Sequence, residues 1–456
     1  MSEGVQAVLD TEAGSSRTIS DRSRATYALS VLFAINAMNF FDRQIVGALA
    51  EPIRKEWGLS DSALGALGTA FTLLYAFVGI PLGRLSDRSP RKRILGVAVL
   101  VWSVLTSLSA LTRNYWQLFA TRLGVGVGEA ACAPAATSLI GDLYPPARRA
   151  RALSIFMLGL PIGIALSYLM SSFIAHAWGW RAAFFLAGIP GVFCAIAAMF
   201  IDEPVRGMAE TRTVVSSPRQ RSSWRALLSI PTMWWLILSG ALHNFNMYAL
   251  GSFLAPLLMR YHGATLRQGG LMAMLSYGLS GIPGLLIGGA LADRLSLRRK
   301  DGRLLVGAVS ILVSVPLLLL ALSRPAHDTF SFVLFAGAGC MTMYVYYSSV
   351  YATLHDVVEP SLRGTAMALY FFAMYVLGAS FGPLVTGMAS DFFTRRAAVA
   401  AGATIFTKKA LEPFRGAGLH PAMYLIPVLS ILLTLVLFAA CRTVAGDMDK
   451  RDRGGS

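Results

Sequence analysis

The sequence has little charge. Only 14% of its 456 residues are Asp, Glu, Lys or Arg, against about 25% in an ordinary soluble domain. That shortage excludes a water-solvated surface over most of the chain. Cysteine is scarce as well. Cys132, Cys194, Cys340 and Cys441 each lie in an apolar run and form no CxxC pair, so they read as small hydrophobes rather than redox groups or metal ligands. The six histidines show no HxxxH or HExxH spacing, and no metal site is expected. No GxxxxGK[ST] loop is present, which argues against direct ATP coupling. No cofactor is expected. Residues 1–25 are polar and lack an apolar signal core, and are read as a disordered cytoplasmic tail.

Long apolar runs are what the chain has instead; 55% of its residues are hydrophobic. A membrane span needs about 20 mainly apolar residues. Six segments meet that length in the first half: 27–50, 62–85, 93–112, 115–141, 150–175 and 179–201. Six more follow at 230–258, 266–293, 303–323, 328–356, 363–391 and 420–442. The polar stretch 202–229 separates the two groups. The expected organisation is therefore a tail (1–25), a first six-helix bundle (26–201), a cytoplasmic linker (202–229), a second bundle (230–443) and a cytoplasmic tail (444–456).

The net charge is +16. Its Arg and Lys fall in short clusters between spans, a pattern of membrane topology rather than nucleic-acid binding. The clusters 84–93, 148–151, 206–225 and 294–303 all fall on the side of both termini. The positive-inside rule makes that side cytoplasmic, which suits a multi-pass protein of a cell's inner membrane. One loop disagrees: 392–419 places Arg395, Arg396, Lys408, Lys409 and Arg415 on the outer side.

The two halves echo each other. "GRLSDRSPRKR" (83–93) matches "GALADRLSLRR" (289–299), each after the second span of its half. "RARALSIF" (149–156) matches "RGTAMALY" (363–370), each opening a fifth span. Parallel repeats of this kind place a substrate site near the midplane, between the halves.

The stretch "AINAMNFFDRQIVGALAEP" (34–52) sets Asp42 and Arg43 inside the first span. Ionisable groups there cost roughly 5–7 kcal/mol together before any pairing. Adjacent helical residues diverge by about 100°, so each needs another partner. The fourth span supplies Arg122 and Glu129, seven residues apart and about 20° from a common face. One reading is a structural ion-pair network locking spans one and four. The other is a proton site, with Asp42 and Glu129 as the proton-binding pair and Arg122 as the switching counter-ion. A carboxyl group in a dry cavity holds its proton more tightly, and a nearby arginine loosens it. Arg43 is assigned to an anionic headgroup of the substrate.

The second half is neutral and aromatic in its depths. Span seven carries His243, Asn244, Asn246 and Tyr248; span ten carries Tyr344, Tyr346, Tyr347 and Ser348. Asn244, Asn246, Tyr248, Tyr344, Tyr347 and Ser348 are candidate contacts for an amphiphile, with ordinary helix packing as the competing reading. His243 reads as an interhelical hydrogen-bonder. On the cytoplasmic side, Gly83, Asp87 and Arg88 match Asp293 and Arg294 of the second half. These read as a gate in which the aspartates cap neighbouring helix N-termini, against the alternative of a solvated loop. "GVGVG" (124–128) follows no expected strand and reads as close helix packing rather than dinucleotide binding.

These motifs carry a resemblance. "GRLSDRSPRKR", "RLGVGVGEAACAP" (122–134) and "GLPIG" (159–163) are similar to signatures of the major facilitator superfamily, with Pro90 where a glycine is usual. Within it, "NFFDRQIVG" (39–47) with "GVGEA" (126–130) resembles the spinster-type transporters. The resemblance implies an all-α integral membrane fold of twelve transmembrane helices in two pseudo-symmetric bundles, working by alternating access. It implies proton-coupled movement of a sphingolipid-like or lysolipid-like substrate. The expected partners are that substrate, protons and membrane lipids, with no nucleic acid, and a monomer suffices. The alternatives are a proton-linked carrier of small organic anions and a membrane protein that binds ligand without moving it. An enzyme is not expected, since no nucleophile or metal constellation is present.

Overall fold

The computed structural model describes residues 3–205, 223–359 and 362–454 of the chain. Among these residues the regular elements are all helices. Spans one to four are Glu3–Ala48, Asp61–Arg88, Arg91–Leu108 and Tyr115–Glu129 continued by Cys132–Leu143. Span five is Pro146–Met157 continued from Gly159, and span six ends at Met199. The left-handed backbone of Gly179 (φ 83°) turns five into six, a conformation glycine adopts without steric cost. Span seven is Pro231–Arg260, nine is Gly302–Leu322, ten is Thr329–Val357 and twelve is Leu425–Gly454. Spans eight and eleven are each interrupted by a π-turn. Eight runs Leu266–Ala273, Met274–Leu279, Gly281–Ser296; eleven runs Arg363–Met374, Tyr375–Ala379, Phe381–Ala400.

Local chemistry starts the helices. Ser60 and Asn114 accept from the backbone N–H groups of Ala63 and Gln117, and Thr265 forms a reciprocal box with Gln268. The helix of span one reaches back to Glu3, through the segment expected as a disordered tail. No proline precedes Pro52, so none breaks the helix in that direction. Residues 206–222, most of the expected linker, lie outside the described residues.

Large apolar side chains such as Phe193 and Phe330 stand exposed around the perimeter, as a lipid-solvated protein requires. The buried apolar clusters lie within the halves, and the largest, centred on the last six spans, also takes in Ala48, Ile164 and Tyr168 of the first six. With twelve spans, the start of span one and the end of span twelve fall on one face, here the terminal face; the other is the distal face. The halves meet mainly toward the distal face. There the distal half of span eleven packs on span two, and the distal part of span eight packs on span five, while their terminal-side segments barely touch those partners. The seam is closed distally and parted toward the termini. A cavity lined by residues of both halves lies between them.

Candidate functional site

Two unlike walls enclose the cavity. The first half contributes Asp42, Arg43 and Gln44 from span one and Arg122 from span four. The second contributes Tyr248, Tyr277, Tyr344 and Tyr347. Much of the rest is apolar, including Phe40, Phe71, Leu160 and Met247. Span four can carry its charges inward because its glycine run lets it lie close to its neighbours. A Cβ at Gly126 would meet the Phe71 carbonyl at 3.0 Å, and one at Gly128 would meet the Trp102 side chain at 2.9 Å.

The charged group differs in its pairing from the expected one. Arg43, not Arg122, holds Glu129: its Nε donates to Glu129 Oε2 at 2.9 Å, with side chains 7% and 0% exposed. Arg122 instead donates to the hydroxyls of Ser109 (2.8 Å) and Thr106 (3.3 Å). The physical reason is axial. Seven residues bring Arg122 back to the face of Glu129 but about 10.5 Å along the helix. Arg43 is therefore a counter-ion, and it also lines the cavity. Its guanidinium also lies 4.1 Å from the Tyr75 ring centre, and its Nη1 donates to the hydroxyls of Tyr375 (3.2 Å) and Tyr248 (3.4 Å). Asp42 is buried; Thr106 is its hydrogen-bonding neighbour, and no arginine bonds it directly. Arg122 and Glu129 are its charged neighbours.

Of the expected substrate contacts, Tyr248, Tyr344 and Tyr347 line the cavity. Asn244, Asn246 and Ser348 do not. Asn244 donates to Gly240 O of its own helix at 2.9 Å and to Met374 Sδ of span eleven at 3.2 Å, Asn246 to Ser430 at 3.0 Å, and Ser348 to Leu285 O at 3.0 Å. Each is spent on packing spans together. His243 is also not as expected: neither ring nitrogen has a hydrogen-bond partner, and the ring stacks on Tyr346 at 3.9 Å. Tyr75, Tyr277 and Tyr375 escaped the sequence reading. Tyr277 and Tyr375 both sit in the π-turns, which no periodicity announces.

A Cβ at Gly83 would meet nothing within 4 Å, and Arg88 and Arg294 are exposed; the Asp87 side chain lies outside the described residues. Among the described residues Asp293 caps no helix. It is exposed and pairs with Arg303 of its own half at 3.3 Å. Capping by carboxylates occurs elsewhere. Glu203 accepts from the backbone of Arg91 (3.0 Å) and Lys92 (2.9 Å) at the start of span three. Asp391 of span eleven accepts from Asp61 and Ser62 at the start of span two, at 3.0 and 2.9 Å.

That last contact belongs to a seal on the distal face. Arg260 at the end of span seven meets Glu51 (2.6 Å) and Asp61 (2.8 Å) of the first half. Arg54 meets Glu412 of the second half at 2.5 Å. Burial alone favours the neutral acid of Glu51, but Arg260 and then Arg54 outweigh it and hold its pKa down at about 2. The basic 392–419 loop is part of this seal: Arg415 is buried and pairs with Asp391 at 2.7 Å. Below it, Gly47 and Gly251 bring spans one and seven together; a Cβ on Gly47 would lie 2.2 Å from the Gly251 carbonyl oxygen. Gln44 and Tyr168 both donate to that same oxygen.

The model of the Major Facilitator Superfamily matches residues 32–383. The chain is 32% identical to an MFS-type efflux pump of Mycolicibacterium smegmatis over 81% of this chain and 86% of the pump. It is 30% identical to protein spinster homolog 1 of Xenopus laevis, over 81% of this chain and 73% of that protein. Its fold superposes on a bacterial homolog of the human lysosomal transporter spinster, in an inward-facing and unoccupied conformation. The TM-score is 0.82 at 27% identity, covering 93% and 98% of the two chains. The twelve spans, the paired halves and the cavity between them thus belong with these sequences: the chain is a member of the major facilitator superfamily of transporters, and within it is similar to the spinster type.

Proposed function

We propose that the protein moves an amphiphilic, lipid-like substrate by proton-coupled alternating access across a cell's inner membrane, with both termini cytoplasmic. The observation that carries this is the buried Asp42, which no cation bonds directly, beside the Arg43–Glu129 pair, on a cavity whose opposite wall is tyrosine and hydrocarbon. An unpaired buried carboxylate is costly as an ion and tolerable as an acid, which suits a group that takes up a proton. The aromatic wall suits a long apolar body, and the guanidiniums suit a polar head. The splayed terminal side supports an inward-facing state in which the cavity meets the cytoplasm. The Gly83–Arg88 and Asp293–Arg294 segments then close on one another only when the distal seal opens.

A second reading is a proton-linked carrier of small organic anions. It is favoured by one fact, that both Arg43 and Arg122 line the cavity. Ligand-induced thermal stabilisation across lysolipids, sphingoid bases and sugar acids separates the two, because a specific binder raises apparent stability by mass action. Flux into liposomes under a pH gradient then tests transport. Asp42→Asn and Glu129→Gln should each abolish pH-driven flux while leaving folded protein. Normal flux in both variants sinks the proton reading, and binding without accumulation by the parent sinks transport.

A further inference from the structure

Arg43 is gripped from both halves. Its Nε bonds Glu129 of span four, while its Nη1 bonds the hydroxyls of Tyr375 and Tyr248 in spans eleven and seven. The Tyr75 ring of span two lies under the guanidinium and meets the Tyr375 ring edge-on at 5.0 Å. Tyr375 opens the π-turn Tyr375–Ala379. Such a turn re-aims a side chain relative to a regular helix and recurs at functional sites.

We infer that Tyr248 and Tyr375 are positioning residues that transmit the state of Glu129 to the second half through Arg43. This deepens the proton-coupled reading and rests on it. A guanidinium is a rigid planar fork with five donors and no acceptor. Any shift of Nε relative to Glu129 therefore swings Nη1 relative to the two hydroxyls. An ionised Glu129 holds the fork by a charge-assisted bond, roughly twice as strong as a neutral one. A protonated Glu129 lets it go. The charged and titratable groups facing Glu129 are Asp42 and Arg43 from span one, with Arg122 and Cys132 from its own span. Those facing Arg43 add Tyr75, Tyr248 and Tyr375. Among the described residues facing Arg43 the second half offers only neutral hydroxyls, so it senses the proton through them.

The test uses the full chain in lipid nanodiscs, with spin labels on Arg113→Cys and His327→Cys. These exposed positions lie on the distal loops of the two halves, and the four native cysteines are replaced. The distal open-to-closed ratio is read from distance distributions at about pH 5.5 and about pH 7.5. The parent should change that ratio about tenfold, and the Tyr248→Phe/Tyr375→Phe variant less than about twofold. In an Arg43→Gln background the same tyrosine changes should do nothing further. Tyrosine variants that respond like a responsive parent overturn this inference alone, as does an undiminished tyrosine effect without Arg43. A parent indifferent to pH overturns both this inference and the proton reading.

Discussion

Arg43 and Glu129 form an ion pair at 2.9 Å in which neither side chain is more than 7% exposed. Breaking a buried pair from one side leaves an uncompensated charge and costs about 3–5 kcal/mol. Arg43→Ala should therefore lower the melting temperature clearly. Glu129→Gln keeps the shape and a hydrogen-bonding group beside the stranded Arg43 charge, so it should also melt lower, but by less than Arg43→Ala. Thermal melts of purified protein check the contrast. Equal destabilisation by both variants would mean the pair serves packing alone.

Arg260 serves two carboxylates of the opposite half, Glu51 and Asp61. Arg260→Ala should destabilise the distal-closed state by about 3–5 kcal/mol. A transporter has another state to fall into, so the expected result is a distal-open population rather than unfolding. Distances between labels on the distal loops measure it. An unchanged distribution would show that the seal is held by other contacts.

Glu51 supplies a pH dependence with a definite sign. Its pKa is lowered from 4.5 to about 2 in the folded protein, because Arg260 and Arg54 overcome the effect of burial. Its stabilising contribution is therefore complete above about pH 4.5 and fades as pH falls toward about 2. The melting difference between the parent and Glu51→Gln should be constant from about pH 5 to about pH 8 and shrink below that range. A difference that varies near neutrality would contradict the assignment.

Gly47 touches Gly251 with no room for a side chain. Gly47→Leu should hold the distal seam open and reduce flux by at least about tenfold, while circular dichroism stays that of the parent, because small residues set how closely such helices approach. Near-normal flux would mean the seam does not need to close there.

Tyr344 is buried against the cavity with its hydroxyl unpaired. An unsatisfied buried hydroxyl costs about 1–3 kcal/mol. Tyr344→Phe should leave the ligand-free protein as stable as the parent or more so. It should also shrink the thermal shift produced by whichever lysolipid or acid stabilises the parent. A ligand-free protein that melts lower would mean the hydroxyl is bonded in the working molecule.

The sequence by itself determined the solvent, the number of spans, the division into two related halves and the presence of Asp42, Arg43, Arg122 and Glu129 inside the membrane. These follow from hydropathy, repeat spacing and the cost of burying charge, all of which are local to a segment. Partners are not local. That Glu129 meets Arg43 instead of Arg122 depends on how far span one is slid along span four. That Asn244, Asn246 and Ser348 bind other helices depends on how the spans pack, and that Tyr277 and Tyr375 turn inward depends on π-turns that shift side chains off the 3.6-residue face. The distal seal joins residues about 200 to 360 positions apart, such as Arg260 with Glu51 and Arg54 with Glu412. Only docking of the two halves decides which acid reaches which base, because a buried charge takes its partner from space and not from the chain.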